Sequence, residues 1–414
     1  MSRTSRTPAA LLAGGTLLAS LLVLAPADAD PPASPADAAP SADRPDRDVR
    51  FATFNASLNR STEGELVADL STGEDQQARN VAEIIQRTDP DVLLVNEFDY
   101  VEGGEAAELF RENYLEVSQN GADPVTYPYY YVAPVNTGVP SGHDLDNDGS
   151  TTGPGDAHGF GFFPGQYGMV VYSKYPLKTE QVRTFQLFRW EDMPGNRIPE
   201  DYYTGEERTD LRLSSKSHWD VPVEVGRRTV HFLVSHPTPP VFDGPEDRNG
   251  TRNADEIRFW ADYVRGKRAS SYIYDDQGRT GGLRPGARFV IAGDQNSDPH
   301  DGDSIPGAAQ QLLDNPRVND RRTPSSEGAV EASALQPGNE GHASPPRFDT
   351  ADFSEPPGNL RADYVLPSRQ LRILDSGVFW PETTDPLARL VWGSPAPSSD
   401  HRLVWVDVQL VHRH

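Results

Sequence analysis

Seven short segments rich in β-branched and aromatic residues recur along the chain, at 49–55, 92–96, 168–173, 229–235, 289–292, 362–366 and 402–410. Each is of strand length, and each is bounded by Pro- and Gly-rich connectors. Helical periodicity is clear in only two places. Over 76–87, Val81, Ile84 and Ile85 share one face, and over 253–265 Ile257, Phe259, Trp260 and Val264 do so. Strands outnumber helices, so the pattern predicts an α+β chain of two packed sheets with helices outside. Three long polar stretches, 136–165, 189–217 and 321–358, interrupt this plan. Connectors of that length are either disordered or functional, and 321–358, rich in Pro, Ser, Glu and Gly, is expected to be a mobile surface loop.

Ahead of the first strand, Arg3 and Arg6 precede an apolar run over 9–25, and Ala27-Asp28-Ala29 offers small residues for a signal peptidase. This reads as an export signal over 1–29, and the chain is expected to be secreted. The run contains Gly14, Gly15, Thr16 and Ser20 and is short for a bilayer span. No later stretch is long and apolar enough to cross a membrane, so the mature protein is expected to have no transmembrane segment. Residues 30–48, mostly Ala, Pro, Ser and Asp, cannot bury a core and read as a disordered leader. The folded domain is then 49–412, with no internal repeat.

The chain has no cysteine, which excludes a disulfide framework, a thiolate metal site and a cysteine nucleophile. Lys and Arg number 38 against 62 Asp and Glu, a formal net charge of −24. Proteins that grip long nucleic acids usually display a basic stripe to displace counterions, and no such run exists here. A small phosphorylated substrate met by a metal suits the charge better.

Most strand candidates end in, or carry, a polar residue that a strand does not need. The first ends at Asn55 and the second leads into Glu97; the fourth runs into His236, and the fifth into Asp294 and Asn296. The two-residue period predicts that the last two share one side. Asp363 lies inside the sixth, and Asp400 and His401 precede the last. Singly, each has a bland explanation as a turn former, an exposed strand end or a hydrogen-bonded histidine. Together they are oxygen ligands plus imidazoles at strand exits, a set that suits Mg²⁺, Mn²⁺ or Ca²⁺ better than structural zinc.

Five motifs carry a more specific likeness: Phe-Asn at 54–55, Val-Asn-Glu at 95–97, Gly-Asp-Gln-Asn at 293–296, Arg-Ala-Asp-Tyr-Val-Leu at 361–366 and Ser-Asp-His at 399–401. In this order they resemble the endonuclease/exonuclease/phosphatase superfamily, which includes deoxyribonucleases, inositol polyphosphate phosphatases and bacterial sphingomyelinases. The segment 166–177 is similar to that family's central strand. The resemblance implies a four-layer α/β/β/α sandwich of two mostly antiparallel sheets and a metal-dependent phosphoric ester hydrolase. It implies Glu97, Asn55 and Asp400 at a divalent metal, Mg²⁺ first, with Mn²⁺ or Ca²⁺ as alternatives. By the same resemblance Asp294 activates water and Asn296 contacts the phosphate. His401 handles phosphoryl oxygens or a proton, Asp363 fixes its tautomer, and His236 is the second histidine of the deoxyribonuclease and sphingomyelinase branches.

One insert departs from the better-known branches. Asp144, Asp146 and Asp148 alternate ahead of Gly149 as in a calcium loop, but Gly155 stands where the closing acid belongs and Asp156 follows it. A structural Ca²⁺ site and a solvated acidic loop both fit this pattern. The nearby Phe160, Phe162, Phe163 and Tyr167 fit core packing or a substrate wall. For the whole chain, three functions remain: a hydrolase of small or lipid phosphoesters, an extracellular endonuclease, and a non-catalytic binding protein. Ser-His-Asp hydrolysis lacks a Gly-x-Ser-x-Gly elbow. Nothing in the pattern speaks to oligomeric state.

Overall fold

The computed structural model describes residues 48–410. The expected export signal and nearly all of the leader lie outside the described residues. Among the described residues are thirteen strands: β1 Asp48–Leu58, β2 Val92–Phe98, β3 Tyr129–Tyr131, β4 Met169–Ser173, β5 Arg183–Thr184, β6 His218–Val225, β7 Arg228–Ser235, β8 Arg288–Asp294, β9 Ala351–Asp352, β10 Asn359–Leu360, β11 Asp363–Pro367, β12 Arg372–Val378 and β13 Val404–Gln409. One sheet has the order β12-β13-β1-β2-β4-β3 and the other β11-β8-β7-β6-β5, while β9 and β10 form a separate ribbon. All seven expected strands are present.

Each sheet is antiparallel except for one central parallel pair, β1 with β2 and β7 with β8. A parallel pair needs a long crossover, usually a helix on the sheet's face. The first crossover carries α1 Glu65–Leu70 and α2 Gln76–Thr88; after two short helices, α3 Glu105–Phe110 and α4 Gly205–Asp210, the second carries α5 Arg248–Arg265. The start of α2 is set by Asp75, whose carboxylate accepts from Ala78 N at 2.7 Å, and its end by Asp89 in a left-handed conformation ahead of Pro90. On α5 the apolar face expected from sequence, Ile257, Phe259, Trp260 and Val264, is buried against Leu233, Phe289 and Ile291. Burying each such side chain stabilises by roughly 1.5–3 kcal/mol.

Two-residue alternation assigns the other faces. On β1, Val49, Phe51, Thr53 and Asn55 share one side, and the Phe51 ring lies 5.5 Å from that of Phe232 on β7. That side therefore faces the second sheet. Val290, Ala292 and Asp294 of β8 look back toward it, while Phe289 and Ile291 turn outward to α5. The result is helix, sheet, sheet, helix. Toward one end of the inner core the apolar residues give way to Asn55 and Asp294, because the carboxyl ends of both parallel pairs gather there. Their antiparallel neighbours start at the same end: Asp363 opens β11 directly opposite Asp294, and His401 precedes β13.

The segment 321–358 differs from its expectation. It carries the helix Glu327–Leu335, capped by Ser326, two short 3₁₀ turns and β9. Its composition misled because small residues here serve close packing. Ala329 and Ala332 are buried in the core, and a Cβ on Gly328 would stand 2.1 Å from the Trp380 carbonyl oxygen. Among the described residues no helix is long and apolar enough to cross a membrane.

Candidate active site

Asp294 is the centre of a buried polar cluster. Its Oδ2 accepts from Asn55 Nδ2 at 3.1 Å and faces His236 Nε2 at 3.4 Å and His401 Nε2 at 3.6 Å. The same Asn55 NH₂ group donates to Glu97 Oε1 at 3.0 Å, and Glu97 Oε2 accepts from Asn59 Nδ2 at 2.9 Å. Behind His401, Asp363 Oδ2 lies 2.9 Å from Nδ1 and also accepts from Thr350 Oγ1 at 2.8 Å. Both sheets thus contribute: Asn55 and Glu97 from one, His236, Asp294 and Asp363 from the other.

Burial and charge set the protonation of this cluster. Burial pushes Asp294 up to about 7, against the pull of the His401 charge. Burial lowers the His401 imidazole, but Asp363 and Asp294 together outweigh it and hold it well above its ordinary value. His236 is driven well below the usual histidine range by burial, with Lys216 and His401 adding to the effect. The two imidazoles are thus pushed in opposite directions, His401 toward the charged form and His236 toward the neutral one, on either side of Asp294. The backbone is strained as well: Ser57, Glu97 and Asn296 have φ of 49°, 55° and 50°. For residues other than glycine such conformations cost energy and persist where surrounding structure enforces them.

The expected residues are not all arranged as their spacing implied. Asn296 lies beyond the last residue of β8, where its left-handed backbone turns the chain so that its own N–H donates to Asp294 Oδ1 at 2.8 Å. Its side chain donates to the Pro237 carbonyl at 3.1 Å. Asn55, expected as a cation ligand, turns its NH₂ and not its oxygen toward the carboxylates; its oxygen accepts from Ser57 N. Asp400 is exposed at the rim, with Ser57 Oγ 3.5 Å away.

Several contributors escaped sequence reasoning. Helix α5 supports the site: Glu256 accepts from Ser215 N at 2.7 Å and Thr238 N at 2.6 Å, and Asn253 donates to the carbonyls of Thr238 and Gln295 at 2.8 and 2.9 Å. These contacts fix the chain just before Lys216 and just after His236 and Asp294. The Lys216 side chain is only 6% exposed, has no hydrogen-bond or ion-pair partner among the described residues, and lines a cavity of about 630 Å³ together with Glu97, His236, Tyr167 and Phe160. Burial lowers its affinity for the proton, while Glu256, Glu97 and Asp294 favour the charged form. No motif announces it, since a lone lysine in a polar stretch normally reads as surface. A lysine amine beside the carboxylates and facing the cavity suits an anionic substrate. Lys216→Met is expected to lower kcat/KM by roughly 10²- to 10³-fold, as removal of a preorganised charge-stabilising donor does. Thermal melting should show the fold retained, because an unpaired buried charge is costly. Unchanged kinetics in a folded variant would reduce Lys216 to a counter-charge for its acidic neighbours.

The aromatic segment divides between the two uses expected of it. Phe163 is buried, whereas Phe160 and Tyr167 line the cavity and Phe162 is exposed, its ring packed edge-on to Phe160 at 5.7 Å.

The model of the Endonuclease/Exonuclease/phosphatase family matches residues 52–401, and the chain belongs to that family. No curated protein matches it. Among solved structures it is similar to an endonuclease/exonuclease/phosphatase from Beutenbergia cavernae DSM 12333, at 18% identity and a TM-score of 0.47 over 88% of this chain and 72% of that one. It is also similar to a mutant beta toxin from Staphylococcus aureus with bound magnesium ions, at 14% identity and 0.42 over 87% and 99%. Truncated Caenorhabditis elegans TDP2 aligns at 15% identity and 0.41 over 87% and 97%.

Proposed function

We propose that this family member is a secreted, divalent-metal-dependent hydrolase of small or lipid phosphoesters. The observation that carries the reading is the cavity of about 630 Å³ with Glu97, Lys216 and His236 in its lining. Its volume is that of a small-molecule site. Phe160, Tyr167 and Phe242 add apolar surface suited to a substrate whose phosphoester adjoins an apolar part.

The donor set fits a divalent cation. Oxygens of Glu97 and Asp294 converge on one amide group, and neither carboxylate has a Lys or Arg within ion-pair distance among the described residues. Glu97 is the first candidate ligand, with Asp294 beside it. When bound, the cation would neutralise charge developing on the phosphoryl oxygens. In this reading Asp294, as the carboxylate, takes a proton from the attacking water. The new P–O bond forms as the ester P–O bond breaks, and the His401 imidazolium stabilises the added negative charge while Asp363 holds its ring. Lys216 neutralises a further phosphoryl oxygen.

A nuclease is the competing reading, and electrostatics separate the two. With a formal net charge of −24 the long-range field should repel a polyanion at low ionic strength, whereas local charges can neutralise a small ester. At matched Mg²⁺, kcat/KM for a phosphomonoester, a small phosphodiester or a phospholipid head group is expected to exceed that for duplex DNA by a wide margin. Any DNA cleavage should improve as salt screens the repulsion. Rapid plasmid nicking at low salt with small substrates untouched would move the assignment to the nuclease.

A further inference from the structure

The insert that departs from the better-known branches is folded around a second group of acids. Ligand oxygens of Asp144, Asp146 and Asp156 lie within 4.8 Å of one another. Asp144 and Asp146 are held by the turn between them and Gly149: the N–H of Asp148 donates to both carboxylates, at 3.0 and 3.2 Å, and Gly149 N donates to Asp144 at 3.0 Å. Asp148 is not a member. Its exposed side chain turns away to accept from Ser150 N at 2.7 Å, which corrects the expectation that alternate carboxylates all converge.

Asp156 makes this more than an acidic surface loop. It is 2% exposed; its Oδ1 accepts from Leu145 N at 2.9 Å, and its Oδ2 is buried with no partner among the described residues. Three clustered carboxylates, one buried with an open oxygen, repel one another unless a cation sits between them. The space is also kept: a Cβ on residue 155 would stand 2.1 Å from Asp146 Oδ2, so the glycine in place of the usual closing acid lets the chain pass and brings Asp156 in instead. Hard oxygen donors in an irregular loop suit Ca²⁺ over Mg²⁺, which demands a near-ideal octahedron.

The geometry points to a structural Ca²⁺ site formed by Asp144, Asp146 and Asp156, separate from the catalytic cluster. Its position gives it a further role. Leu145, Asp146, Pro154, Gly155 and Ala157 line the same cavity as Glu97, Lys216 and His236. The ion therefore fixes one wall of the substrate cavity. This wall role rests on the hydrolase reading; the ion site itself does not.

The test uses the full mature chain carrying Glu97→Gln, so that the catalytic cluster does not dominate binding. CaCl₂ should raise its Tm by a few degrees through mass action on the folded state, with calorimetric titration giving one site, and MgCl₂ at equal concentration should raise Tm far less. Asp156→Asn and, separately, Asp144→Asn should abolish the calcium response, whereas Asp148→Asn should retain most of it. Absence of a calcium response in the Glu97→Gln protein, or its persistence in both the Asp144 and Asp156 variants, would overturn the site. If calcium binds as described but the chain with Glu97 intact turns over no phosphoester with added Mg²⁺, the hydrolase reading fails and the ion site stands.

Discussion

Chelation of divalent cations is expected to abolish turnover, and Glu97→Gln to raise the Mg²⁺ concentration required by roughly 100-fold or more. Loss of even an outer-shell partner costs metal affinity 10- to 100-fold, and Glu97 is assigned to touch the ion. The substitution should leave folding intact. Glu97 sits at a strand exit, in a left-handed backbone conformation, and its two side-chain contacts are to the amides of Asn55 and Asn59. Removing its charge also relieves repulsion with Asp294. Activity against added Mg²⁺ after exhaustive chelation, with a melting curve on each sample, makes the measurement. Full turnover in excess chelator would end the metal-dependent mechanism.

Asp294→Asn and His401→Ala are each expected to lower kcat by roughly 10²- to 10⁴-fold with much smaller changes in KM, because their contributions are made mainly in the transition state. The structure gives Asp294 the position for this. It is buried, aligned by Asn55 and the Asn296 N–H, and flanked by two imidazoles whose proton affinities are pushed in opposite directions. Asp363→Asn should act in the same direction less steeply, since Thr350 can still hold the side chain beside His401. Near-normal kcat in His401→Ala would remove His401 from the chemistry and leave its pair with Asp363 as scaffold.

The parts of this arrangement visible in the sequence are those written in short periods. Short β-branched and aromatic runs mark the seven strands, and the position of Asn55, Glu97, His236 and His401 at their ends follows from where each apolar run stops. What stayed hidden is written in contacts across long separations. Thr350 belongs to a Pro- and Ser-rich stretch whose small side chains look like loop, yet it anchors Asp363. Strand β6 does alternate, with Trp219, Val221, Val223 and Val225 between Asp220, Pro222 and Glu224, but a proline inside the run argues against a strand, and it stands because β7 pairs along its whole length. Helix α5 starts five residues before its expected first residue, since Asp247 offers no side-chain cap and Gly250 and Asn253 are poor helix formers. Asn253 and Glu256, invisible as site residues, lie on that helix and tie the entry of β6 to the exits of β7 and β8. Asn296 misled for the opposite reason. The period that should have carried it past Asp294 ends at the strand's last residue.

The first strand sits at the middle of its sheet, between β2 and the last strand, β13. A chain emerging from the ribosome therefore holds β1 with one edge open until about 350 further residues have been made. His401, in the turn before β13, arrives equally late. Partial chains lack His401 and the closing strand together, so a truncated product exposes a central β edge that invites aggregation and, under the proposed mechanism, is inert. For any host making this protein, holding the nascent chain open and apart from its copies is a condition of yield, and the appearance of activity dates the closure of the sheet.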